Sequence, residues 1–140
     1  MAAKTLALTP TESSLDFRPK EVHLEPGVPV ILGRQGIYAS EDPSKEESPR
    51  NGYFSTAIGV LNPVSKRHAS VWVDTKGKVF IQDLNSSNGT YVNGVRLASG
   101  RAKQLNTGEI LRLGISLRIE HTNKYRNDAC HRCSLYPVAL

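Results

Sequence analysis

The chain has 140 residues, 39% hydrophobic and 22% charged, with 18 Lys and Arg against 13 Asp and Glu, so its formal net charge is +5. Such a balance excludes disorder throughout, leaves room for one domain with a buried core, and favours anionic partners without naming the anion. No apolar run of 18 residues exists, so no transmembrane helix is expected, and the first eleven residues lack the apolar run of a signal peptide. An intracellular setting (cytoplasm or nucleus) is the default expectation.

Residues 1–17 carry Thr, Ser, Pro and Ala without periodicity and read as a flexible N-terminal arm. From Arg18 the pattern changes. Val22 and Leu24 alternate with charged residues, as in a half-buried strand, and Pro26-Gly27 punctuates it. Val28 to Leu32 makes a second strand, whose Pro29 suits an edge or a strand start, and it ends at Gly33-Arg34. An acidic insertion loop follows near residues 40–52. Between Glu41 and Glu47 it holds four acids and one lysine. Ser44 and Ser48 in that loop resemble kinase sites, although a solvated loop with chance matches is the preferred reading. Tyr53-Phe54 and Ala57 to Leu61 suggest short strands.

Clearer strands come next. Ala69 to Asp74 and Lys78 to Asp83 flank Thr75-Lys76-Gly77 as a hairpin, and Trp72 reads as core. Two Asn-Gly pairs follow, Asn88-Gly89 and Asn93-Gly94, the strongest short-range turn signal because both residues tolerate positive φ. The first holds out the polar loop Asn85-Ser86-Ser87-Asn88; the second turns a hairpin between Thr90-Tyr91-Val92 and Val95-Arg96-Leu97. Ile110 to Leu113 and Ser116 to His121 form a last pair around Gly114. Many short strands with Gly, Asn and Pro between them, and no helical period, are the signature of an all-β sandwich or barrel. Residues 122–140 lose the alternation and read as a tail. Cys130 and Cys133 lie there with no second pair to complete the roughly four ligands of a structural zinc site, so they read as incidental, with no metal or cofactor expected.

Three polar clusters fall at strand ends: Gly33-Arg34, Ser65-Lys66-Arg67-His68 and Ser86-Ser87-Asn88-Gly89. In a sandwich, loops from several strands gather at one end, where these clusters can meet. In order and spacing, Gly-Arg, then Ser-x-x-His, then Ser87-Asn88-Gly89-Thr90-Tyr91-Val92-Asn93-Gly94 resemble the forkhead-associated (FHA) domain. The likeness covers about residues 18–121 and extends to Leu105-x-x-Gly108-Glu109-Ile110-Leu111-x-Leu113-Gly114. It implies a β-sandwich of two twisted, mostly antiparallel sheets with binding loops at one end, acting as a phosphothreonine-peptide-binding adaptor module in signalling.

By that resemblance, Arg34 and Ser65 are phosphate ligands, Lys66 adds a cation, and Ser87 reaches the phosphate. Asn88 bonds the peptide backbone, while Gly33, His68 and Gly89 support the site. The chemistry agrees, because a phosphate dianion is best met by an arginine fork with hydroxyl and backbone donors. Leu24-Glu25-Pro26, Gly33-Arg34-Gln35 and Asn51-Gly52-Tyr53-Phe54 are similar to FHA domains of the sarcolemma-associated-protein adaptor type. Residues 58–64 depart from that subtype in length. Two other readings stand beside this one: a degenerate FHA domain binding unphosphorylated partners, and a basic nucleic-acid-binding β domain, for which 6% aromatic content offers few stacking platforms. A hydrolase on Ser65 and His68 lacks a nucleophile elbow and an acid orienter, so no enzyme is expected.

Overall fold

The structure, a computed structural model, describes residues 2–10, 19–34, 46–54, 64–114, 117–119, 124–126 and 130–137. The expectations for Ser44 and for a strand at 57–61 lie outside those residues. Alternating apolar residues produce thirteen strands among the described ones: β1 Lys4–Pro10, β2 Lys20–Leu24, β3 Val30–Arg34, β4 Tyr53–Phe54, β5 Ala69–Val73, β6 Val79–Asp83, β7 Thr90–Val92, β8 Val95–Arg96, β9 Lys103–Leu105, β10 Ile110–Leu113, β11 Leu117–Ile119, β12 Lys124–Arg126 and β13 Cys130–Pro137. No helix is present among the described residues, and none is long and apolar enough to cross a membrane.

One sheet runs in the order β2-β1-β13-β10-β7-β8 and a second in the order β4-β3-β5-β6-β9, with β11 and β12 as a separate pair. All pairings are antiparallel except β3 with β4. The inward residues of both sheets form one core. Leu6, Leu8, Val22, Leu24, Val92, Leu111 and Leu113 come from the first sheet, and Leu32, Phe54, Val71, Val73, Val79, Ile81 and Leu105 from the second. Burying each such side chain is worth about 1.5–3 kcal/mol, so the sandwich rests on this shared layer.

Four expectations are corrected. Residues 4–10 are not an arm: β1 lies between β2 and β13, with Leu6 and Leu8 fully buried. The C-terminal stretch is not merely a tail, since β13 pairs with both β1 and β10, and Cys133 is buried in the core. β10 does not pair with β11; it lies between β13 and β7, while β11 pairs with β12. Trp72 is half-buried on the far face of β5, because the strand alternates and Ala69, Val71 and Val73 take the core side. There Trp72 stacks on its cross-strand partner Phe80, ring centroids 6.0 Å apart.

The β5–β6 hairpin forms as expected, its turn held by Asp74 Oδ1, which accepts from the amides of Lys76 and Lys78 at 2.9 Å each. Asn93 and Gly94, at φ 51° and 81°, make the two-residue turn joining β7 to β8. The Asn93 side chain accepts from Ile110 N at 2.8 Å, tying that hairpin to β10.

Candidate functional site

The Gly-Arg pair ends β3, and its backbone is locked to the Ser-x-x-His segment. Arg34 N donates to Ser65 O at 3.1 Å, and His68 N donates to Leu32 O at 3.0 Å. The approach is close enough to require glycine at 33, where a Cβ would fall 2.0 Å from Lys66 O. That oxygen is main chain, so it cannot swing away as a side-chain end would. On the other side, Gly33 N donates to Gly52 O at 3.0 Å.

His68 is fully buried and joins two loops through one ring. Ser65 N donates to Nδ1 at 3.0 Å, which leaves Nδ1 unprotonated and puts the ring proton on Nε2. Nε2 then donates to Gly89 O at 2.7 Å, an oxygen that also accepts from Gly114 N at 2.8 Å. Burial holds this imidazole below its ordinary pKa, although the Gly89 bond and the Asp83 charge act in the opposite direction. Both ring nitrogens are committed to the backbone. His68 is therefore not placed as a base on the Ser65 hydroxyl.

The Ser-x-Asn-Gly loop reaches the same place by a second route. Ser87 N donates to Ser65 Oγ at 3.2 Å. Because Ser65 Oγ accepts there, its own proton remains available to an outside acceptor. Asn88 is half-buried between Ser87 and Gly89, and Gly89 takes φ 86°. The other left-handed residue of the loop is Asn85, at φ 59°, not Asn88. The two Asn-Gly pairs are thus geometrically different: Asn93-Gly94 is a hairpin turn, and Asn88-Gly89 belongs to a wider loop.

Asp83 organises that loop from inside. Its carboxylate accepts from Ser86 Oγ at 2.5 Å, Thr90 Oγ1 at 2.7 Å and Ser86 N at 3.1 Å, while Ser86 Oγ accepts from Gly89 N at 3.0 Å. Burial works to raise the carboxyl pKa; the Ser86 and Thr90 donors and nearby His68 overcome it and hold the group below its ordinary value. Sequence reading missed Asp83, Ser86 and Thr90 as site supports. The signal was present, since an Asp at a strand end with Ser three residues later is a local side-chain-to-backbone turn pattern.

Hydrogen bonds join Arg34, Ser65, His68, Ser87 and Gly89 into one cluster, with Gly33 and Asn88 beside them in the chain. The Lys66 side chain is exposed at its rim. Arg34 is half-buried and its Nε is wholly buried with no hydrogen-bond partner, a condition shared only by Arg112 Nε among the described residues. A buried donor without a partner costs roughly 1–3 kcal/mol, and no acceptor among the described residues meets this one. No cluster of three or more metal-ligating side chains occurs among the described residues.

A two-sheet sandwich that ties a Gly-Arg strand end, a Ser-x-x-His turn and a Ser-x-Asn-Gly loop into one cluster defines a loop-presenting β domain. Residues 59–114 match the FHA domain model, and the chain carries a domain of that family. Human sarcolemmal membrane-associated protein is 35% identical over 133 residues, covering 91% of this chain and 14% of that protein. Full-length yeast Pml1p has the same fold, with a TM-score of 0.59 at 22% identity over 96% of this chain and 82% of that one. A third likeness, at TM-score 0.55 and 22% identity over 97% and 99% of the two chains, is to a structure from a "Structural and functional analysis of phosphothreonine-dependent FHA domain interactions". The chain spans between 12% and 35% of the length of the curated relatives it matches.

Proposed function

We propose that this domain binds phosphothreonine segments of partner proteins and acts as an adaptor, without chemistry of its own. The observation that carries the reading is the orphaned, buried Nε of Arg34, on a residue whose amide is bonded to Ser65 O, together with a Ser65 hydroxyl that accepts from Ser87 N and keeps its own proton to donate. A phosphate brings nearly two negative charges and three strong acceptor oxygens, which answer both donors at once. Arg34 supplies the charge-assisted bonds, Ser65 the hydroxyl bond, and exposed Lys66 and Ser87 complete the rim. Asn88 sets the register of the bound backbone. Gly33, His68 and Gly89 hold these groups at fixed separations. The phosphothreonine-dependent interactions named for one structural neighbour and the 35% identity to human sarcolemmal membrane-associated protein support the same assignment.

An oriented phosphothreonine peptide library, with phosphoserine and unphosphorylated counterparts, tests the reading. Phosphothreonine peptides are expected to bind and their unphosphorylated counterparts to fail. Equal binding of both would overturn phospho-recognition in favour of a degenerate domain. Tighter binding to duplex DNA than to any phosphopeptide, with steep loss in salt, would favour the nucleic-acid reading.

A further inference from the structure

The hairpin that follows the loop carries a cation the site does not use. The register of β7 and β8 sets Arg96 opposite Tyr91. On its other side Tyr91 pairs with Arg112, whose guanidinium lies over the Tyr91 ring, 4.1 Å from its centroid. Arg96 is exposed, yet its stem rests on the binding loop: a Cβ at Gly89 would lie 2.6 Å from Arg96 Nε and 3.0 Å from its Cζ. None of the ion pairs among the described residues engages Arg96 or Arg112. The glycine thus has two reasons to be one, its φ of 86° and the guanidinium laid across it.

Position along the loop then decides what this cation meets. Ser87 is bonded to Ser65 at the phosphate cluster, and Gly89, two residues on, lies under Arg96. Two residues of extended chain span about 7 Å, so a peptide whose register Asn88 fixes has a residue flanking its phosphothreonine within reach of Arg96. We propose that Arg96, backed by the Arg112–Tyr91 stack, selects phosphothreonine segments bearing a carboxylate side chain at that flanking position. The inference rests on the phosphothreonine reading of the site and extends it to the class of segment preferred. Because Arg96 is exposed, its preference has the size of a solvent-exposed ion pair, about a two- to fivefold effect on affinity, and is screened by salt.

The test titrates the full chain with phosphothreonine peptides that carry Glu or Gln at each flanking position in turn. At one position the Glu peptide is expected to bind about two- to fivefold more tightly than its Gln twin, with the gap closing as salt rises toward about 0.5 M. Arg96→Gln should erase the gap and leave the affinity for the Gln peptide unchanged, while Arg96→Lys should retain it. A gap that survives Arg96→Gln, or a wild-type domain that binds phosphothreonine with no gap at any position, would overturn the inference alone. Failure of every phosphothreonine peptide to bind would overturn the underlying reading, and this inference with it.

Discussion

Adding one methyl at Gly33 should damage both fold and binding, and the size of the effect can be worked from the geometry. A Cβ there falls 2.0 Å from Lys66 O and 2.8 Å from Lys66 C, whereas ordinary carbon–oxygen contact begins a little above 3 Å. The 65–68 main chain must therefore retreat by about 1 Å, because neither partner is a flexible side-chain end. Retreat stretches the Arg34 N to Ser65 O bond from 3.1 Å past useful length and disturbs the Ser65 N to His68 Nδ1 bond. Overpacking costs about 1–3 kcal/mol and a lost backbone bond about 1 kcal/mol more, so Gly33→Ala should destabilise by about 2–4 kcal/mol. For a chain of this size that lowers Tm by roughly 6–15 °C. Calorimetry gives the Tm, and titration with the best phosphothreonine peptide from the library gives affinity. At a temperature where the variant is folded, affinity should still fall about tenfold or more, since Ser65 has moved from Arg34. A variant with unchanged Tm and unchanged affinity would refute the claim that this close approach sets the site.

Acid should loosen the site from two directions. His68 is held below its ordinary pKa, so the unfolded chain binds a proton first; its contribution to stability is complete above about pH 6.5 and declines as pH falls through the folded-state value. Urea unfolding between pH 8 and pH 5 should show that decline, and His68→Asn should flatten it; a wild-type profile that stays level across the range would contradict the neutral, Nε2-protonated ring. Asp83, also held low, adds a further loss only below about pH 4, for the matching reason that its stabilising charge is present above the unfolded pKa and disappears on protonation. Asp83→Ala removes the acceptor of three bonds and should cost about 2–4 kcal/mol, with phosphopeptide affinity weakened because Ser86 no longer holds Gly89. Stability and affinity both matching wild type would show that the loop does not depend on this carboxylate.

What could be seen in the sequence followed how local each feature is. The β5–β6 hairpin was legible because its strands, turn residues and alternation lie within fifteen residues. The site motifs could be picked out for a related reason: each is a short string at a strand end, and their order together carried the resemblance to the FHA domain. β1 and β13 were not. Leu6 and Leu8 give only two beats of alternation, and what makes them a strand is pairing with partners as far off as Leu135 and Cys133. Such pairing closes a loop of more than a hundred residues and leaves no local mark. Trp72 failed differently, since its size suggested core while the period of two, followed strictly from Val71 and Val73, put it on the outer face. Lys20 offered no sign of burial either. It is fully buried by an ion pair to Glu47 at 3.1 Å, a bond to Ser48 O at 2.7 Å and the Phe54 ring at 4.9 Å. A lysine is placed inside only by partners that another segment brings, here the end of the acidic loop.

Arg34 carries the central claim, and because its buried Nε has no partner the decisive variant is unusually clean. Truncation removes an unsatisfied donor, so Arg34→Ala should leave Tm within about 2 °C of wild type while removing the charge that meets phosphate. Titration of wild type and Arg34→Ala with one phosphothreonine peptide and its dephosphorylated form is the direct measurement. The account expects wild type to bind only the phosphorylated form, and the variant to lose at least about tenfold in affinity, from charged bonds worth roughly 1.5–3 kcal/mol each. A folded Arg34→Ala domain that binds the phosphopeptide as tightly as wild type would contradict it.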